Sequence, residues 1–399
     1  MSSSPLLPFT EALSTIQRNS QQLVATQSIV LEQSLGRVLA QDIIASIDIP
    51  PAANSAMDGY VMRFEDWQAD KTFTISQRIP AGVAPTPLTE NTVARIFTGA
   101  EIPANADLVI MQENAQLDDN GDVSFSQTPV QHDNIRPQGQ DVQNGSVVLK
   151  KGIRIEAQHI GIIASLGIKQ INVFNTLKVG ILTTGDELVA PGGSLEKGQI
   201  FNSNGPMLKA LVEKLGYKVA SYQHAADKHQ ETEDILAKMA PQCDIILSSG
   251  GVSVGEEDHV KNVIEANGEL LLWKIAIKPG KPLVHGQVFN TPFIGLPGNP
   301  SSTLVTFHWF ATIALAVSSG LTVKPAQGFD VKAGFSRDKA IKRDEFLRVS
   351  LVDGKAQAHP QQSSGALSAA CHSQGYLHIP AGEKISLDKV FTFYPFSSF

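Results

Sequence analysis

The chain has little cysteine: two residues in 399, Cys243 and Cys371, far apart. That excludes a disulfide framework and a cysteine-held zinc site. Its ten histidines form no His-x-x-x-His pair, which argues against a histidine zinc site as well. Positive charge is not in surplus; the formal net charge is −7. A general nucleic-acid or anionic-membrane surface needs a basic field, so neither partner is expected. A local basic pocket for one small anion stays open. There is no Walker loop and no Rossmann fingerprint. Ordinary NTPases and dehydrogenases are thereby set aside. The longest apolar stretch, 304–317, contains His308 and is too short to span a bilayer, so it reads as a buried helix. The start, Met1 to Pro5, lacks the basic region and apolar run of a signal peptide, and the cytoplasm is the expected compartment.

What is present is a normally apolar chain too long for one ordinary core, so two to four domains are expected. Residues 10–22 have helical spacing after Thr10, a residue able to cap. From 73 to 148 short alternating runs are broken by Pro and Gly, an all-β pattern. Helix-like 153–166 and strand-like 168–173 read as the return of the first segment. From 177 apolar runs alternate with helical patterns, which predicts a mostly parallel sheet covered on both faces. After Pro325 short runs with Gly turns return. The predicted architecture is therefore multidomain α/β plus β. It comprises an elongated framework (1–47 and 147–176), an inserted β-rich domain (48–146), a three-layer α/β/α domain (177–325) and a small C-terminal β-barrel (326–399).

Three loops interrupt apolar runs within the α/β stretch: Thr183 to Leu188, Ser248 to Asp258, and Leu296 to Pro300. In an open α/β sheet, ligands bind where strands end in such loops. Ser249-Gly250-Gly251-Val252-Ser253-Val254-Gly255 offers small residues and hydroxyls for an anion nest, or an ordinary strand-to-helix turn. The acids that follow, Glu256, Glu257 and Asp258, would repel a phosphate unless a divalent cation lay between, which points to Mg²⁺. Asp186 in Thr184-Gly185-Asp186-Glu187 reads as a cap or as part of the same metal–phosphate site. Lys278-Pro279-Gly280-Lys281-Pro282 sets two ammonium groups on a stiff loop suited to an oxyanion. A solvated surface turn is its plainer reading.

Taken together and in order, these stretches resemble the MoeA family of molybdopterin molybdenumtransferases, to which the gephyrin E domain is related. The motifs are Asn54 to Tyr60, Thr98-Gly99-Ala100, Arg136-Pro137-x-Gly-x-Asp141, Thr184 to Leu188, Ser249 to Gly255, Lys278 to Pro282 and Pro297-Gly298-Asn299-Pro300. The resemblance implies Mg²⁺-dependent insertion of molybdate into adenylylated molybdopterin, with release of AMP. It implies a homodimer with a shared site, and transient contact with molybdopterin adenylyltransferase and molybdoenzymes. Catalytic positions implied are Asp58, Asp141, Glu187, Asp227, Asp258, Lys274 and Lys278. Substrate-binding positions are Thr98, Gly99, Thr184, Gly185, Ser249, Gly250, Gly251, Ser253, Lys278, Lys281, Pro282, Pro297, Gly298, Asn299, Pro300, Ser302 and Arg348, with Arg343 and the Ser363-Ser364 loop nearby. Metal positions are Asp186, Glu187 and Asp258. Glu256 and Gln140 depart from the family pattern, which carries Asp and Glu there. Two other readings remain: a molybdopterin adenylyltransferase, and a non-catalytic scaffold of the gephyrin type.

Overall fold

Two faces of one sheet organise the molecule. The structure, a computed structural model, describes residues 6–252 and 259–399. The central sheet runs Lys218–Ala225, Lys178–Thr184, Ile245–Ser249, Thr291–Leu296, Val284–Val288, Gly268–Trp273. Its first four strands are parallel and the last two antiparallel. Lys178–Thr184 and Ile245–Ser249 are buried on both faces, which is why they read as unbroken apolar runs rather than alternating ones. On one face Val179 and Ile181 pack with Leu208 and Val212 of helix Asn204–Lys214. On the other, Leu182 and Ile246 pack with Leu236 of His229–Met239 and with Val260 and Ile264 of His259–Asn267. Helices on both faces make the three layers.

The helical run Pro300–Ser318 is the core helix, and a π turn at Phe307–Ala311 divides it. By length and composition it could cross a membrane, yet 72% of that window is buried in the fold. Phe307 and Phe310 are wholly inside. At the N-terminus the helix is Phe9–Asn19, and Pro8 rather than Thr10 stands at its cap. Packing decides this start: Phe9 meets Trp309 and Phe346 edge-on at 5.0 Å each.

Segments distant in sequence build the framework. Thr26–Val30 pairs antiparallel with Gln170–Phe174, and Ile43–Ile44 with Val147–Leu149. Between them lies a four-stranded sheet in the order Thr74–Ile79, Thr92–Ile96, Gly59–Met62, Leu108–Met111.

The C-terminal region is a closed five-stranded barrel. Asp344–Val352 closes it by pairing with both Lys355–Ala358 and Gly375–Ile379. Phe329–Ala333 and Val390–Pro395 complete the circuit. Val349, Leu377 and Phe393 fill the interior. A short strand of the α/β unit, Ile277–Lys278, adds to the barrel in parallel, with Lys278 opposite Glu345. This junction sets one wall of the site.

Candidate active site

A cleft of about 1030 Å³ opens where the parallel strands end. The end of Lys178–Thr184 supplies Thr184, Gly185 and Glu187. Ile245–Ser249 supplies Ser249, Gly250 and Gly251, and Thr291–Leu296 leads into Pro297, Gly298, Asn299, Pro300 and Ser302. Asp227 reaches it from the loop after Lys218–Ala225. Lys278, Lys281 and Pro282 form a further wall, joined by Arg343, Gln362 and Ser363 from the barrel region. Lys278 and Lys281 therefore face the cleft from one loop and Arg343 from the barrel region, while Glu187 and Asp227 bring carboxylates from the sheet edge.

The loops are held by their own polar contacts. Asn204 Nδ2 donates to Ser249 Oγ at 2.8 Å and to the Gly298 carbonyl at 2.7 Å. Ser249 Oγ in turn donates to the Pro297 carbonyl at 3.1 Å. Asn202 ties Thr183 Oγ1 at 2.9 Å and accepts from the Gly205 N–H at 3.0 Å, fixing the start of helix Asn204–Lys214. Gly250 has φ +98°, and a Cβ there would lie 2.6 Å from Thr184 Oγ1 and 2.9 Å from the Thr184 carbonyl oxygen. The two loops approach this closely because position 250 carries no side chain.

Asp186 and Asp227 cross-link two loops. The Asp186 N–H donates to Asp227 Oδ2 at 3.2 Å, and the Asp227 N–H donates to Asp186 Oδ1 at 3.0 Å. Asp186 itself is exposed and stands beside the cleft rather than in its wall. Among the described residues no three acids, histidines or cysteines converge as a ready metal cage. Ser253 and Asp258, with Glu256 and Glu257, lie outside the described residues.

Arg348 and Lys274 are likewise not in the walls. Arg348 is buried and turned inward, donating to the Phe346 and Ser363 carbonyls. Burial holds its guanidinium below the usual arginine range, with Tyr376 and Glu345 partly offsetting. Arg348 thus supports the Ser363 loop, and Arg343 is the arginine that lines the cleft. Lys274 does not line the cleft, and its Nζ lies 3.5 Å from the centre of the Trp273 ring. Desolvation, then Lys281 and Lys261, lower its pKa from the ordinary lysine value. Its φ of +71° is left-handed, a conformation a lysine rarely adopts.

Asp58, Thr98, Gly99 and Asp141 belong to the segment between the framework strands and do not line this cleft. They form a separate locus in part: Asp58 Oδ1 accepts from the Thr98 N–H at 2.7 Å and from its hydroxyl at 2.9 Å. The Thr98 backbone bond, then the hydroxyl bond, hold the Asp58 carboxyl below the usual carboxylate range, and Arg95 adds to this. Asp141 is exposed on a turn near the framework.

Comparison with known proteins decides the family. Residues 7–167 match the MoeA N-terminal region (domains I and II), 180–316 a probable molybdopterin binding domain, and 330–396 the MoeA C-terminal region (domain IV). The chain belongs to the MoeA family. A MoeA relative from Haemophilus influenzae, named molybdopterin molybdenumtransferase, is 38% identical over 380 residues, 91% of this chain and 93% of that protein. One of the same name from Staphylococcus aureus is 33% identical, covering 95% of this chain and 92% of its own. A crystal structure of the molybdopterin biosynthesis MoeA protein from Pyrococcus horikoshii OT3 superposes with a TM-score of 0.82 at 31% identity, covering 98% of this chain and all of that one.

Motif reading passed over Asn202, Asn204 and Gln362 as functional residues. The asparagines left a trace, a polar Asn-Ser-Asn run directly before a helix. The signal for Gln362 was its place beside the Ser363-Ser364 loop, which the resemblance set near the site.

Proposed function

We propose that the chain is a molybdopterin molybdenumtransferase of molybdenum cofactor biosynthesis, inserting molybdate into adenylylated molybdopterin and releasing AMP. One observation carries this reading: a single cleft joins Lys278, Lys281 and Arg343 to Glu187 and Asp227. Molybdate is a tetrahedral dianion, and paired ammonium groups with hydroxyl and backbone donors suit it. Lys278, Lys281 and Ser302 would hold it, with Arg343 rather than Arg348 in contact. The Gly250-Gly251 turn and the Pro297 to Pro300 loop would receive the pterin phosphate. AMP leaves when an oxygen nucleophile, from water or molybdate, attacks phosphorus in the pyrophosphate link.

Mg²⁺ fits this donor set. It is commonly bound by one or two carboxylates, completing its shell with substrate phosphate and water rather than a full protein cage. Glu187 and Asp227 meet that pattern in the wall, with Asp186 beside them. When bound, such an ion polarises phosphoryl oxygens. Asp58, Thr98 and Asp141, which do not line the cleft of their own chain, would act on the cleft of a second copy in a homodimer. Cytoplasmic placement and transient contact with an adenylyltransferase and molybdoenzymes follow from the same reading.

The test is incubation with adenylylated molybdopterin, Mg²⁺ and molybdate, following AMP. Release of AMP that depends on molybdate supports the transferase. Turnover of ATP on molybdopterin without molybdate would instead support an adenylyltransferase. Lys281→Ala should weaken molybdate binding roughly 10- to 100-fold, the worth of a charge-assisted hydrogen bond, without altering the fold. Lys281 is exposed, so its loss leaves no cavity.

A further inference from the structure

Lys278 does not stand free in the cleft wall. Its Nζ lies 2.9 Å from Glu345 Oε1. Glu345 comes from the barrel and is 2% exposed, too little for water to screen it. Lys278 and Glu345 are register partners in a parallel ladder, so backbone pairing brings them together. Arg337 Nη2 lies 2.5 Å from the other oxygen, a charge contact without hydrogen-bond alignment. One buried acid is thus shared by two cations, and of the two only Lys278 lines the cleft.

Resting on the transferase reading above, we propose that Glu345 is a positioning residue. It fixes Lys278 at the wall and makes the cleft select a doubly charged oxyanion over a singly charged one. To take up a guest, the Lys278 ammonium must loosen its contact with Glu345. Coulomb attraction scales with the product of the charges. A monoanion at the same distance offers no more than the Glu345 carboxylate already supplies. A dianion offers about twice as much, so it displaces where the monoanion does not. Arg337 makes the exchange feasible. It keeps Glu345 compensated while Lys278 turns to the guest, and an uncompensated buried carboxylate would be strongly unfavourable.

Two substitutions should move binding differently. Affinities of the full chain for sulfate, molybdate and nitrate are measured by calorimetry, with circular dichroism and melting as the fold control. Glu345→Gln should raise nitrate affinity and cut the dianion-to-nitrate ratio by about tenfold or more, a coupling within the range of close charge pairs. Glu345→Asp should restore part of that ratio. Arg337→Gln leaves Lys278 as the remaining ion-pair contact of Glu345, so it should weaken dianion binding without raising nitrate affinity. An unchanged ratio in folded Glu345→Gln overturns the inference. If that variant does not fold, undiminished dianion binding in Arg337→Gln overturns it. A wild type that favours sulfate over nitrate yet ignores molybdate sinks the substrate reading and leaves the Glu345 comparison in force. A wild type with no preference for dianions overturns the Glu345 inference itself.

Discussion

Asn204 and Ser249 are joined side chain to side chain at 2.8 Å, across 45 positions of sequence, and the same amide holds the Gly298 carbonyl. One buried group therefore fastens two of the loops that form the cleft. Asn204→Ala should cost about 1–3 kcal/mol, because it leaves buried acceptors without a donor. Asn204→Asp keeps the size and removes the donor, so it should lose a similar amount. Denaturant midpoints read the stability, and KM for the adenylylated substrate should rise in both. Unchanged stability and KM would show that the loops hold without this amide.

Gly250 and Gly36 both have positive φ, but only Gly250 has close neighbours for an added Cβ. Gly36→Ala should cost about 1–2 kcal/mol, the price of a left-handed L-residue. Gly250→Ala adds a collision with Thr184 backbone, so it should cost more and also distort the cleft. Equal losses of stability and activity in the two variants would contradict this.

Burial lowers the pKa of His285 to about 4 and that of His308 to about 3, with Lys214 adding to the latter. Both rings are neutral in the fold. The unfolded chain takes up their protons below about pH 6.5, so it binds more protons than the native state there. Stability is fully present above that pH and falls as pH drops toward the folded values. Each histidine should contribute a slope of up to about 1.4 kcal/mol per pH unit in that window. Among the described residues His285 Nδ1 has no partner, so His285→Met loses no bond there. It should flatten the slope between about pH 6.5 and 4 in pH-dependent denaturation. An unchanged slope would exclude His285 as its source.

Asp58 and Asp227 offer a complementation test of the homodimer. Each single alanine variant should be nearly inactive. Co-expressed, the two should regain about a quarter of wild-type activity, since random pairing in a two-fold dimer leaves one intact site in half of the dimers. Purified mixed dimers lacking activity would oppose a site shared between subunits.

The sheet and the loops at its edge were legible because local rules express them. Ile245 to Leu247 is unbroken apolar sequence since both faces are buried, and Gly250 marks a backbone that must come close to another. The resemblance implied that Arg343, Arg348 and the Ser363-Ser364 loop lie near the site, but which arginine of the barrel reaches the cleft was not legible. Arg343 and Arg348 sit in the same run of sequence, yet one lines the cleft and the other is buried. That difference depends on which way a strand presents each residue and on the pairing of Ile277–Lys278 with the barrel. No local pattern encodes a junction between chain segments so far apart. Thr10 illustrates the same limit on a smaller scale, because aromatic packing of Phe9 overrode its capping preference.

Thr26–Val30 has its partner at Gln170–Phe174. During synthesis this strand leaves the ribosome while that partner is still unmade, a wait on the order of ten seconds at ordinary translation rates. Throughout that interval its hydrogen-bonding edge is open to any other nascent chain, a recognised hazard of unpaired strands. Residues Gly59 to Met111 can collapse on their own sheet meanwhile. Slowed elongation between 111 and 170 would therefore lower the soluble yield more than the same delay placed after residue 174.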